Sequence, residues 1–119
     1  MFRGFRGGSG GGGGGGISTT NFVVSLVDDT MSPYSLTAST TRPDYISVNT
    51  TNGPVTINIS SPTGVAGKMI VVKDALGQSA TNNITVSCTG NIDNSSSVVL
   101  SNNGSSLLLI SDGVRWGIN

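Results

Sequence analysis

Six aspartates and one cysteine are the side chains of this 119-residue chain with most scope for chemistry, because it has neither histidine nor glutamate. Without histidine, no Ser-His-Asp or Cys-His arrangement can be assembled, and Cys88 alone gives zinc or iron too few good ligands. A glycosidase-like pair of carboxylates is the remaining option, and Asp28 and Asp29 are adjacent. Neighbours in a strand point to opposite faces, however, so these two would diverge, and Val27-Asp-Asp-Thr reads better as a turn. Asp and Asn oxygens suit calcium, yet no EF-hand spacing occurs. Nor is the tract from Gly7 to Gly16, broken only by Ser9, a phosphate loop: no Gly-Lys-Ser/Thr follows, and Ile17-Ser-Thr-Thr opens no helix. The expectation is a protein that is not an enzyme and needs no cofactor or metal.

The charge balance leads away from polyanions. Six Lys and Arg offset six Asp, so neither nucleic acid nor an anionic membrane has a strong electrostatic hold on the chain. The longest aliphatic cluster, Leu107 to Ile110, is far shorter than a membrane span of about 20 residues, so no membrane insertion is expected. The N-terminus does not read as a signal peptide, since glycine stands where an apolar stretch should be. Cys88 has no partner for a disulfide within the chain. It falls on the same face of an alternating run as Ile84 and Val86 and is expected to be a buried, inert thiol. Asn-x-Ser/Thr triplets begin at Asn49, Asn58, Asn83, Asn94 and Asn103, as chance allows in a chain so rich in these residues.

The chain divides at residue 20. Residues 1–20 form a Gly-rich arm that opens with a doubled Phe-Arg-Gly unit; residues 21–119 form a β domain. Such an arm cannot bury enough apolar surface to fold alone, so a partner must order it. Phe2 and Phe5 are its apolar anchors and Arg3 and Arg6 its carboxylate-pairing groups. Gly7, Gly8, Gly10 and Gly16 belong to a backbone able to fit a narrow channel. The arm carries +2, while four basic and six acidic residues leave the remainder at −2.

A period of two governs the rest. Pro54-Val-Thr-Ile-Asn-Ile-Ser sets Val55, Ile57 and Ile59 against Thr56, Asn58 and Ser60, the pattern of a half-buried strand. Tyr45-Ile-Ser-Val precedes it across Asn52-Gly53, a pair tolerant of positive φ, and the two runs are expected to form a hairpin. Met69-Ile-Val-Val, apolar without alternation, suits a strand covered on both faces. Further strands are expected over Phe22–Val27, Val98–Leu100, Ser106–Ser111 and Val114–Ile118, with turn signals at Gly64, Gly77, Gly90, Gly104 and Gly113. Asp112-Gly113 should close a type I′ hairpin. The fold class is therefore all-β: a compact antiparallel β-sandwich or jelly-roll-like domain of short strands behind an extended arm. A core this small also suits stabilisation by oligomerisation.

Several separate signatures coincide in this part of the chain. They are Tyr45-Ile-Ser-Val, Pro54-Val-Thr-Ile-Asn-Ile, Gly67-Lys-Met-Ile-Val-Val-Lys-Asp-Ala-Leu-Gly, Ala80-Thr-Asn-Asn-Ile-Thr-Val, Gly90-Asn-Ile-Asp and Leu107-Leu-Leu-Ile-Ser-Asp-Gly-Val-Arg-Trp-Gly-Ile. In their order and spacing, the region from Tyr34 to the C-terminus resembles a small β domain that recurs in bacteriophage tail fibres, head fibres and related virion appendages. One departure is Asn94, where such domains usually have Gly after the Asp; Asn is the next-best residue for a left-handed turn. The resemblance implies a virion surface protein, trimeric as such proteins often are. A short fibre, spike or decoration protein fits the length better than a tail fibre. Its arm would dock on a capsid, vertex, portal or tail protein, and the alternative is an adhesin for a host-surface glycan.

Within the β domain, Lys73, Asp74, Asp93 and Asp112 are expected to fix turns, Lys73 and Asp74 by hydrogen-bonding or pairing near Gly77. Tyr34, Tyr45 and Trp116 are the aromatic faces, expected in packing or at a subunit interface first and against a glycan second.

Overall fold

The computed structural model describes residues 21–119. The arm residues Phe2, Arg3, Phe5, Arg6, Gly7, Gly8, Gly10 and Gly16 lie outside the described residues.

Nine strands run in chain order: β1 (Val23–Asp28), β2 (Tyr34–Leu36), β3 (Asp44–Asn49), β4 (Val55–Ile59), β5 (Met69–Asp74), β6 (Ile84–Ile92), β7 (Ser95–Leu100), β8 (Ser106–Ser111) and β9 (Trp116–Ile118). One 3₁₀ turn, Asp29–Met31, follows β1. The all-β class is as expected, but the pairing is not that of an antiparallel sandwich. β1, β3 and β5 stack in parallel on one side, and β2, β4 and β6 stack in parallel on the other. Each consecutive pair, β1–β2, β3–β4 and β5–β6, is one rung of a short solenoid. Antiparallel pairing is confined to the C-terminal end, where β8 covers β5, β7 covers β6, and β9 pairs with β8; β9 also pairs in parallel with the last residue of β6.

The expected β3–β4 hairpin is the element that misled. Neither Asn52 nor Gly53 takes a positive φ, which a type I′ turn needs at both central residues. Instead the Asn49 side chain accepts a hydrogen bond from the Thr51 N–H, and the Gly53 N–H donates to the Thr50 carbonyl. The Asn82 side chain donates to the same Thr50 carbonyl from the equivalent corner of the next rung. The chain thus turns a corner and crosses to the opposite face of its own rung. The strands then find partners in the rungs above and below.

Stacking sets the inward residues in columns. Ile46, Val72 and Leu107 form one, Val55, Ile84 and Leu100 another, and Tyr34, Ile57, Val86 and Val98 a third. β-branched residues suit such columns because their stiff side chains pack on the pleated surface with little entropy to lose. β5 has strands on both edges, and its Ile70, Val71 and Val72 are all buried, as its unbroken apolar run predicts. Gly90, expected to mark a turn, lies inside β6, where a Cβ would come within 2.9 Å of the Pro62 ring.

Candidate functional site

Two inward columns contain a carboxylate among their hydrocarbons. Below Val27 and Val48 stands Asp74, which is 1% exposed. Its Oδ1 accepts from the N–H groups of Gly77 and Gln78, and its Oδ2 from those of Ser79 and Gly104, at 2.8–3.2 Å. Burial by itself would raise the carboxyl pKa, but these donors stabilise the anion and hold it down to about 2. Lys73, its neighbour on the opposite face of the strand, donates to the Gly104 carbonyl. The pair do not bond to each other, as the sequence suggested they might; both grip the loop before β8. Asp74 is a turn-fixing residue of unusual reach, joining the 75–79 turn to residue 104.

The second carboxylate is Asp44, placed between Val23 and Ile70 in its column and unremarked in the sequence. Lys68 reaches it at 2.6 Å with both side chains nearly sealed, and the same ammonium donates to the Arg42 carbonyl. Beside this pair is a recess of about 150 Å³ lined by Thr40, Thr41, Arg42, Pro43, Gly67, Lys68 and Met69. The Arg42 guanidinium in turn donates to the carbonyls of Asn21 (3.0 Å) and Phe22 (3.2 Å). The Phe22 ring meets Tyr45 edge-on at 6.3 Å. The junction with the arm is therefore clamped to the second rung. Arg42 sits in a Ser/Thr/Arg/Pro loop with no motif of its own, so sequence reasoning had nothing by which to find it.

The aromatic residues separate. Trp116 is completely buried, and its indole N–H donates to the Ser60 carbonyl at 3.1 Å. It therefore cannot meet a glycan or another subunit: β9 bridges the two stacks, and only a large flat side chain fills the space they leave. Tyr34 packs on the core and its hydroxyl donates to the Ser25 hydroxyl, while Tyr45 keeps partial exposure beneath Phe22.

The other turn residues are where expected. Asp112 accepts from the N–H groups of Arg115 and Val114, both at 2.8 Å, and those bonds lower its pKa. The β8–β9 hairpin is real, but Gly113 alone takes a positive φ, so the turn is not type I′. Asp93 itself takes the left-handed conformation expected of Asn94, and its carboxylate accepts from the Ile118 N–H. Asp28 caps the 3₁₀ turn through the Thr30 N–H and hydroxyl, which is the turn role proposed for Asp28-Asp29. Cys88 is half-buried, its thiol pKa raised by that burial.

At the end of the module next to the arm, β1 has β3 as its one strand neighbour among the described residues. An apolar groove of about 260 Å³ lies alongside, lined by Leu26, Val27, Asp28, Ser47, Asn49, Ala75 and Leu76. No protein-family model and no curated protein matches this chain.

Proposed function

We propose that this chain is a non-enzymatic structural protein of a virion surface, a short fibre, spike or decoration protein of a bacteriophage, attached through residues 1–20 with its β domain facing outward. The observation that supports this most is the polarity of the module. The C-terminal end is closed by β7, β8 and β9, whereas at the other end β1, which follows residues 1–20, has β3 as its one strand neighbour among the described residues. Attachment chemistry is then gathered at one end. Arg42 and the Phe22–Tyr45 contact give the arm a fixed point of departure, so that a pull on it is transmitted to the stack. The assignment to a phage particle draws on the resemblance of the motifs between Tyr45 and Ile118 to phage appendage domains.

Replacing Phe2 and Phe5 by Ala tests the reading. Particles assembled with the variant should lack this protein although the variant is folded and abundant; normal occupancy would refute it. The second reading, a glycan adhesin, draws on the recess beside Arg42, whose hydroxyl, guanidinium and backbone groups suit a sugar. It requires that the protein bind an immobilised glycan.

A further inference from the structure

We propose that Asn52 is a site of spontaneous modification in the folded protein: its side-chain amide closes on the Gly53 nitrogen and leaves aspartate or isoaspartate in the corner between β3 and β4. In the first step the Gly53 nitrogen bonds to the Asn52 Cγ. The Cγ–Nδ2 bond breaks, and the amide departs as ammonia with the proton of the Gly53 N–H. Water, the one co-reactant, then opens the resulting succinimide at either carbonyl. Opening at Cγ gives aspartate. Opening at the main-chain carbon gives isoaspartate, whose backbone runs through one extra carbon. Asparagine before glycine suits this reaction because no side chain shields the attacking nitrogen or restricts its approach.

The chain has two Asn-Gly pairs, Asn52-Gly53 and Asn103-Gly104, and the fold holds them differently. At Asn103 both reacting groups are tied down. The Asn103 Oδ1 accepts from the Ala80 N–H at 2.9 Å, and the Gly104 N–H donates to the buried Asp74 carboxylate at 2.8 Å. The Ser79 hydroxyl also donates to the Asn102 carbonyl. Ring closure there must first break bonds to residues 74–80. At Asn52 these restraints are missing. Its side chain is exposed and has no hydrogen-bond partner among the described residues. The Gly53 N–H donates to the Thr50 carbonyl at 3.3 Å, beyond the usual range of about 2.7–3.2 Å for such a bond. The product would disturb its surroundings, because a Cβ on Gly53 would lie 3.5 Å from the Asp29 Oδ2. A carboxylate at position 52 therefore arises one residue from the place where another already stands, and like charges repel. The extra carbon of isoaspartate enters the turn in which the Thr50 carbonyl accepts from Gly53 and Asn82. Both changes loosen the crossing from β3 to β4.

Peptide mapping by mass spectrometry tests this on the full-length chain held in mildly alkaline, ammonia-free buffer at physiological temperature. Residue 52 should gain the mass of amide-to-acid conversion about ten times faster than residue 103, the factor that one hydrogen bond to a charged acceptor supplies. In guanidinium, where the fold is lost, the two sites should convert at similar rates. Gly53→Ala, whose Cβ meets the Asp29 Cβ at an ordinary contact distance of 3.4 Å, should nearly abolish conversion at residue 52 over the same period. Converted protein, separated by anion exchange, should unfold at a lower urea concentration than unconverted protein. Equal rates at the two sites in the folded chain, a tenfold difference that persists in guanidinium, conversion of residue 52 in guanidinium alone, or an unaffected Gly53→Ala variant would overturn the proposal. Equal urea midpoints would overturn the loosening of the corner.

Discussion

Replacing Asp74 by Asn changes one atom of a side chain that holds four backbone donors, and its cost can be worked from the structure. The carboxylate accepts from Gly77, Gln78, Ser79 and Gly104. An amide keeps one oxygen and turns an NH₂ towards the other two donors, leaving them unpaired in a partly buried turn. At about 1.5–3 kcal/mol for each of the two lost bonds to a charged acceptor, the loss at neutral pH is about 3–6 kcal/mol, a large share of the stability of a domain this size. Acid titration supplies an independent figure. A carboxyl lowered from 3.8 to about 2 corresponds to about 2 kcal/mol, at 1.36 kcal/mol per unit. Because the folded-state pKa is the lower one, this contribution is complete above the unfolded value of 3.8 and is lost as the pH falls through about 2. Urea unfolding followed by the fluorescence of Trp116, the single tryptophan, reads both quantities. The gap between wild type and Asp74→Asn should be largest at pH 6 and narrow by about 2 kcal/mol on approaching pH 2. Contributions from Asp112 and the other carboxylates cancel in that difference. A gap that does not change with pH, or a variant as stable as the wild type, would refute the role given to the buried anion.

Two other perturbations probe the core. Lys68→Met leaves the Asp44 carboxylate sealed without its partner and should cost about 3–5 kcal/mol in urea unfolding, whereas Asp44→Val with Lys68→Met should recover most of that loss. Trp116→Ala should cost about 3–5 kcal/mol by circular dichroism melts, and Trp116→Phe distinctly less, because only the hydrogen bond to Ser60 and part of the ring are removed.

The strands were largely legible because a period of two survives any pairing scheme. Val55, Ile57 and Ile59 face inward as their alternation predicts, and the turn roles of Asp74, Asp93 and Asp112 follow from what a short carboxylate does beside free backbone donors. What was missed has one source. Alternation states which face is buried but not which strand lies alongside, so Tyr45-Ile-Ser-Val and Val55-Ile59 read equally well as a hairpin or as two sides of one rung. The repeat that would have distinguished these is uneven. Val23 stacks on Asp44 after 21 residues, Asp44 on Ile70 after 26, Tyr34 on Ile57 after 23 and Ile57 on Val86 after 29. Loops of different length hide the period from a reader of the sequence. β2, only three residues long, escaped for want of any alternation to count.

By itself the sequence determined that this is an all-β module with no histidine-based catalytic machinery and a basic-aromatic arm, because those properties depend on residue types and local spacing. Tertiary structure decided that the strands stack in parallel, that Trp116 closes the core, and that Asp44 and Lys68 meet. It also decided that Arg42 is clamped to Asn21 and Phe22 beside β1, the strand that has one strand neighbour among the described residues. The physical reason is that each of these joins residues from different rungs. Only the corner geometry, fixed by backbone hydrogen bonds such as that from Gly53 to Thr50, determines which rung lies next to which.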